Sequence, residues 1–500
     1  MIELRDYQKR TIDKCRELAA AGYTRILVVA PTGSGKMCTA AFIMQSALRN
    51  FGARSLFAVH RKEVVEHCVR QLARFGVTEV GVMRADDERT DSTQPIQIAS
   101  RATLARRDLP PADIVIVDEV HYAPESLREL VRAYPGATIF GLTATPIGSG
   151  GVSLGGDLFQ IIVPSASYKE LIAAGWIAEP VIFGIERPVD LSGVATTAGD
   201  FDLGGLEFAM DQPQVVGDIV DTWLKRSEGR RTVGFACTVK HSLDIAERFR
   251  QAGVRAGHLD GTTPGGERER LLTALDTGEL QVLMSVDTLS EGWDQPSVKC
   301  MIGARPTLSL TKWMQQSGRI LRPFENIRPL ILDHAGNMDR HGAPHLDRQW
   351  SLDGSSRLVE KNPYRLCPRC FAYVAKNTCE LCGFAPPVEE RKIRENAAPA
   401  LVEKKQEDVR RADFLALVQT ASARGFKPGY ASAKYKEKHG DWPPRSWGEE
   451  AKRMFAADKG WQFRQVKREN ERAYWQDQKR QDDTPIAPED AFGGWLKPPS

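Results

Sequence analysis

The sequence has no stretch of the ~18–20 apolar residues that a membrane-crossing helix requires, which excludes helical spans through a bilayer. It opens on MIELRDYQ, without the basic and then apolar segments of a secretory leader, so a cytoplasmic location and no membrane partner are expected. Cysteine is scarce, with nine in 500 residues, too few and too unevenly placed for a disulfide framework. Five of them, Cys15, Cys38, Cys68, Cys237 and Cys300, are scattered and expected to be reduced and buried. There is also little excess of one charge. The net charge is only +3, but residues 361–500 hold 27 Lys+Arg against 20 Asp+Glu, which leaves −4 for residues 1–360. Any attraction for polyanions therefore belongs to the C-terminal end. What is present, 42% hydrophobic and 27% charged residues over this length, describes a soluble chain of about three globular units.

Residues 26–37, ILVVAPTGSGKM, run an apolar strand into a glycine-punctuated loop that ends in lysine. Ile26, Leu27, Val28 and Val29 suit the middle of a parallel sheet, and residues 36–49 read as a helix with Ala40, Met44, Ala47 and Leu48 on one face. In the loop Pro31, Thr32, Gly33, Ser34 and Gly35, the two glycines let backbone N–H groups turn inward around a phosphate. Lys36 stands where its ammonium reaches the β and γ phosphates, at a helix N-terminus that favours anions. Ala30 replaces the first glycine of such a loop, and Met37 replaces the Ser or Thr whose hydroxyl binds Mg²⁺. A thioether is a poor ligand for a hard cation, so a water must fill that position. Taken alone, the stretch also fits a structural glycine turn.

Strand-like runs recur at 55–59, 96–99, 114–117 and 138–142 with helical stretches between them, the rhythm of a parallel sheet covered by helices. The run IVIV meets Asp118 and Glu119, so two carboxylates sit at the end of a buried strand, where an open α/β sheet places its ligand. Asp118 suits holding Mg²⁺ through water and Glu119 suits polarising an attacking water; a solvated acidic strand end is the alternative. The set LRDYQ, APTGSGK, VHRKE, DEVH and LTATP, in this order, resembles the first motor domain of superfamily-two helicases of the DEAD/DEAH type. By that resemblance Gln8 and Arg5 read the adenine of ATP, and His60 and Arg61 contact a nucleic-acid backbone. Thr143 and Thr145 couple hydrolysis to strand movement, and His121 bridges the nucleotide site to them.

From residue 232 the α/β rhythm resumes, with strand-like VGFA, a helix over 240–251, a strand over 282–286 and apolar runs at Met301 and Ile331. Arg319 and Arg322, three apart, are expected on one helix face, where across a cleft they offset charge on a transferring phosphoryl group. Arginines in that role contribute roughly 10³–10⁵ in rate; a basic helix face in water is the alternative. QQSGRILRP, with Gln315, resembles the helicase Q-x-x-G-R-x-x-R motif, and Gly292 and Asp294 resemble the element that senses nucleotide and touches its ribose. ILDHAGNMDRHG, followed by a cysteine group, is similar to the RadD-like branch of bacterial and phage proteins linked to DNA repair and recombination. The resemblance implies two tandem RecA-like parallel-sheet motor domains, with ATP closing the cleft between them and hydrolysis opening it.

Cys367 and Cys370, then Cys379 and Cys382, form two C-x-x-C pairs suited to one tetrahedral Zn²⁺ with no open position, a structural site. Binding of about 10–16 kcal/mol is enough to hold so small a module together. The tail reads as a small helical basic region: residues 421–480 carry 15 basic and 8 acidic side chains among Trp442, Trp447, Trp461 and Trp475. Those rings could stack bases or form a small core, the expected place of Trp442 and Trp447. Phe492 and Trp495 lie in a tail expected to be disordered, with a docking role for repair or replication proteins. The expected divisions are 1–150 (first motor domain), 151–230 (connection and insertion), 231–345 (second motor domain), 346–386 (zinc module), 387–412 (linker), 413–483 (basic helices) and 484–500 (tail). The function expected is an ATP- and Mg²⁺-dependent motor on nucleic acid, DNA rather than RNA. The rivals are an ATP-gated DNA-binding scaffold slowed by Met37 and the motor subunit of a restriction or defence complex. No nuclease motif is recognisable, so cutting would need a partner.

Overall fold

The computed structural model describes residues 3–60, 62–83, 90–122, 124–186, 189–197, 199–289, 293, 295–386, 406–427 and 429–458. Apolar runs of four to six residues, too short for helices, build the first sheet from β1 (Arg25–Val29), β2 (Ser55–Val59), β3 (Val80–Met83), β4 (Ile96–Ser100), β5 (Ile114–Asp118), β6 (Thr138–Thr143) and β7 (Ile161–Pro164). Their spatial order is β3-β4-β2-β5-β6-β1-β7, and every pairing is parallel. Alternation sorts the side chains into two layers. Ile26, Val28, Phe57, Ile116 and Phe140 pack with Ile43 and Met44 on one face; Leu27, Val29, Leu56, Val115, Val117 and Phe159 pack on the other. The register sets Val29 beside Thr143 and Asp118 beside Leu142, so the loops after β1, β5 and β6 leave the sheet together.

The second sheet joins β8 (Val181–Phe183) to β11 (Thr232–Phe235), β12 (Ala256–Leu259), β13 (Val282–Ser285), β14 (Cys300–Gly303) and β15 (Leu330–Asp333). It is again all parallel, in the order β12-β13-β11-β14-β15-β8. Residues 151–230, expected as connection and insertion, thus give β7 to one sheet edge and β8 to the other. Within the expected insertion lie a ribbon of β9 (Thr196–Thr197) and β10 (Asp200–Phe201) and the helix Leu203–Met210, capped by the Asp202 carboxylate on the Gly205 N–H at 3.0 Å. Two-residue strands show no alternation, and two glycines mask the helix.

The chain from 1 to 386 forms one compact unit, and the C-terminal helices belong to a second. In the latter, helices Gln406–Ala423, Gly429–His439 and Arg445–Ala457 enclose Phe414, Val418, Tyr435, Trp447 and Phe455. The first helix begins before Asp413, inside the expected linker. Trp447 is core as expected, but Trp442 is not: it is 60% exposed, with the Lys436 ammonium 4.7 Å from its ring centroid. It stands in the turn before Pro443 and Pro444, outside both helix faces that build the core. Trp461, Trp475, Phe492 and Trp495 lie outside the described residues. Among the described residues no helix is long and apolar enough to cross a membrane.

Gly141 in β6 faces Phe159, whose ring would lie 2.3 Å from an added Cβ. Gly141→Val is therefore expected to lose about 1–3 kcal/mol through overpacking, read as a lower midpoint in urea unfolding followed by circular dichroism.

Candidate nucleotide site and cysteine cluster

Gly33 and Gly35 adopt φ of 85° and 83°, the left-handed region that glycine enters without strain. The helix Lys36–Phe51 starts at Gly35 with no side-chain cap; the Cys38 N–H donates to the Gly35 carbonyl at 3.0 Å, which leaves the N–H groups of Lys36 and Met37 for a ligand. Behind the loop, the Arg5 N–H donates to Gln8 Oε1 at 3.0 Å, and Gln8 Nε2 donates to the carbonyls of Ser34 (3.4 Å) and Gly35 (3.3 Å). The Tyr7 hydroxyl also donates to the Ser34 carbonyl. Gln8, only 2% exposed, thus braces the loop backbone. The Arg5 guanidinium lies 3.6 Å from the ring centroid of Trp176.

Lys36 Nζ donates to Glu119 Oε1 at 2.7 Å. Burial opposes the charge of Glu119, but the Lys36 ammonium above all outweighs it and holds the carboxyl below its usual range. For Asp118, burial and then the adjacent Glu119 raise the carboxyl above its usual range, and its Oδ1 is buried without a hydrogen-bond partner among the described residues. Such an orphaned acidic oxygen fits a cation or its bound water. Met37 offers no ligand: its side chain packs against the apolar layer under the loop.

His121 connects this site to a helix of the second domain. Its Nδ1 is 2.9 Å from Thr143 Oγ1 and 3.4 Å from Glu119 Oε2, and its Nε2 is 2.8 Å from Gln315 Nε2. Tyr122 donates to Gln315 Oε1 at 2.9 Å, so the amide nitrogen of Gln315 must be the donor to His121. The hydrogen-bond pattern therefore assigns a neutral His121 with its proton on Nδ1, directed at Thr143, whose hydroxyl donates in turn to the Thr145 carbonyl at 3.0 Å. His60 stacks on Tyr122 with ring centroids 4.8 Å apart.

Across the cleft, Gly318 abuts the loop closely enough that an added Cβ would lie 2.7 Å from Thr32 Cβ, and Arg322 Cγ would lie 3.6 Å from a Cβ at Gly33. Arg319 donates to the Trp293 carbonyl at 2.7 Å. The two arginines do not share a helix face, as their spacing suggested. The helix Leu310–Gly318 ends before them, Arg319 is its C-cap, and Arg322 follows in irregular chain. Arg61, Gly292 and Asp294 fall outside the described residues. Sequence reasoning missed Tyr7, Tyr122 and Trp176, for which the only available signal was aromatic residues beside motif positions.

The sulfurs of Cys367 and Cys382 are 3.7 Å apart, those of Cys370 and Cys379 3.6 Å, and all four lie within 4.8 Å of one another. Four thiolates about 2.3 Å from a tetrahedral zinc would be about 3.8 Å apart, so the set fits that ion. Each C-x-x-C turn is closed by a left-handed residue after its second cysteine, Phe371 (φ 61°) and Gly383 (φ 70°). The cluster packs on the second domain. Ala372 bridges Phe183 of β8, the Gly184 N–H donates to the Phe371 carbonyl at 2.8 Å, and Arg226 reaches the Cys370 carbonyl at 3.3 Å.

A phosphate-type loop completed only by residues of a second parallel-sheet domain is the arrangement of the ATP-hydrolysing superfamily-two helicases. The chain belongs to that class: residues 1–148 match the family model for the Type III restriction enzyme res subunit, and residues 213–323 match that for the helicase conserved C-terminal domain. A 51.5 kDa protein of a Lactococcus phage (isolate 7-9) is 27% identical over 395 residues, 76% of this chain and 83% of that protein. A Saccharomyces cerevisiae protein named as an ATP-dependent helicase, IRC3, is 27% identical over 344 residues, 64% of this chain but 49% of the relative. The chain thus spans about half the length of the yeast relative. A fragment described as an HsdR subunit of a type I restriction enzyme from Vibrio vulnificus YJ016 shares the fold, with a TM-score of 0.53 at 18% identity over 70% of this chain and 67% of the fragment.

A Cβ at Gly35 would lie 2.8 Å from Gln8 Nε2, on a backbone that disfavours any side chain. Gly35→Ala is expected to weaken binding of a fluorescent ATP analogue at least about tenfold, which corresponds to ~1.4 kcal/mol, with little change in far-ultraviolet circular dichroism.

Proposed function

We propose that this protein is an ATP-driven helicase or translocase on nucleic acid, DNA rather than RNA, serving repair, recombination or replication, and that it lies in the RadD-like branch. The observation that carries the reading is the path from Glu119 through His121 to Gln315, which ties the carboxylate beside the phosphate loop to the second domain. Lys36 binds the β and γ phosphates when ATP enters, exchanging its partner Glu119 for the nucleotide and freeing that carboxylate to orient the attacking water. A Mg²⁺ ion would neutralise phosphate charge, and Asp118 is the residue that would hold its water shell. Arg319 and Arg322 stabilise the charge that develops on the transferred group. Loss of the γ phosphate loosens the cleft, and His121 with Thr143 and Thr145 passes that change to a strand held at His60 and Arg61.

Two further readings each have an observation behind them. Met37 packs into the core and gives no hydroxyl to a metal, which favours an ATP-gated DNA-binding scaffold with slow turnover. The description of the family matched by residues 1–148 favours a motor for a restriction or defence complex, in which a partner cuts. We further propose that the four cysteines hold a structural Zn²⁺ that stiffens the second domain, that the exposed Trp442 belongs to a partner- or DNA-binding C-terminal unit, and that the protein works in the cytoplasm.

Steady-state ATPase assays with single-stranded DNA, forked DNA and single-stranded RNA are expected to show strong stimulation by DNA that weakens with salt. Glu119→Gln should keep ATP binding and abolish turnover; near-wild-type turnover in that variant sinks the assigned role. No turnover with any polymer, restored by Met37→Thr, would select the scaffold. Co-purification with a nuclease or methyltransferase would select the restriction motor.

Elemental analysis is expected to find one zinc per chain, and Cys370→Ser to lose it together with several degrees of thermal stability. Metal-free wild-type protein that unfolds at the same temperature would refute the zinc assignment.

A further inference from the structure

Lys299, at the entry to β14, is 1% exposed and among the largest fully buried side chains, yet among the described residues it forms no salt bridge to a carboxylate. A buried ammonium without a counter-ion is costly, and an apolar side chain of equal length would fill the space with less penalty. Its partners are main-chain carbonyls. Lys299 Nζ donates to the Ile320 carbonyl at 3.1 Å and to the Arg322 carbonyl. The intervening Leu321 carbonyl accepts from the Ala178 N–H at 2.7 Å. These three consecutive carbonyls lie just past the end of the helix Leu310–Gly318 and outside any strand, so neither a helix nor a sheet ladder satisfies them.

We propose that Lys299 is a positioning residue for ATP hydrolysis: its ammonium fixes the main chain of residues 320–322 and so holds Arg322 toward the phosphate loop. Lys299 holds the carbonyls of Ile320 and Arg322, and Ala178 holds that of Leu321, in the segment that sets Arg322 against Gly33. The position is set by the sheet. The backbone of Lys299 is itself fixed between Arg231 and Leu330, through its N–H to the Arg231 carbonyl at 3.1 Å and its carbonyl to the Leu330 N–H at 2.8 Å. The ammonium therefore transmits the rigid frame of the second sheet to a segment with no regular structure of its own. This inference rests on the motor reading and on the arginines acting in turnover.

The test is a double-mutant cycle on DNA-stimulated ATPase with Lys299→Met and Arg322→Ala. Arg322→Ala is expected to lower kcat by about 10²-fold or more, consistent with arginines that act on the transferring phosphoryl group. Lys299→Met is expected to lower kcat at least about tenfold with KM for ATP within about threefold, because arginines that act on developing charge matter to the transition state more than to binding. The double variant should be no slower than Arg322→Ala alone within about twofold. A Lys299→Met enzyme with wild-type kcat, or a double variant in which the two losses multiply, overturns the role of Lys299. Arg322→Ala with unchanged turnover would instead overturn the arginine assignment itself, and the Lys299 role with it. Lys299→Gln, which keeps a shorter donor, runs the same cycle if the methionine variant does not fold, as judged by its circular dichroism spectrum.

Discussion

The contact between Lys36 and Glu119 holds together two loops of opposite charge that leave the same end of the sheet on either side of β6. Each residue is buried at a cost that the other offsets, and a carboxylate and an ammonium at 2.7 Å attract strongly where water is scarce. The remaining polar order of the site follows from Glu119: His121 is within reach of its second oxygen, Thr143 fixes the histidine proton, and Gln315 caps the other ring nitrogen. Gln315, the far end of this chain of contacts, belongs to a helix of the second domain.

That communication depends on how the second domain presents its arginine segment. The helix Leu310–Gly318 delivers Gln315 from regular structure, whereas Arg322 comes from irregular chain. Gly318 allows the close approach to Thr32, since any side chain there would strike the loop. The segment 179–184 serves both ends of the same domain. Its strand β8 extends the sheet beside β15, and its edge receives the cysteine turns through Phe183 and Gly184. The four-cysteine module is therefore built into the wall of the second domain, with Cys367, Cys370 and Cys379 buried in the same apolar cluster as Trp223 and Ile302.

How much was legible in the sequence depended on whether a feature is local. The glycine loop, the Asp118–Glu119 pair and the two C-x-x-C turns are short segments whose spacing is their geometry: Gly33 and Gly35 turn left-handed, Lys36 meets Glu119, and the four sulfurs converge. Apolar runs announced most strands of both sheets, because a strand buried on both faces must be apolar throughout. The ribbon of residues 196–201 was illegible since two-residue strands have no period to read. Trp442 misled because composition says nothing about which side of a turn a ring occupies. A three-residue spacing suggested a helix face for Arg319 and Arg322, but the helix stops at Gly318, where contact with Thr32 and the anchors on residues 320–322 replace helical hydrogen bonds.

The α/β class, the glycine loop with methionine rather than a hydroxyl residue at 37, and the four thiols are consequences of covalent order and short-range periodicity. Only the tertiary structure decided that Gln315, 194 residues from His121, meets it at 2.8 Å, that Tyr122 fixes the orientation of that amide, and that a buried Lys299 supports the arginine segment. Those contacts join residues far apart in the chain, and they exist because two sheets bring their loops to one cleft; no local pattern encodes where such loops meet.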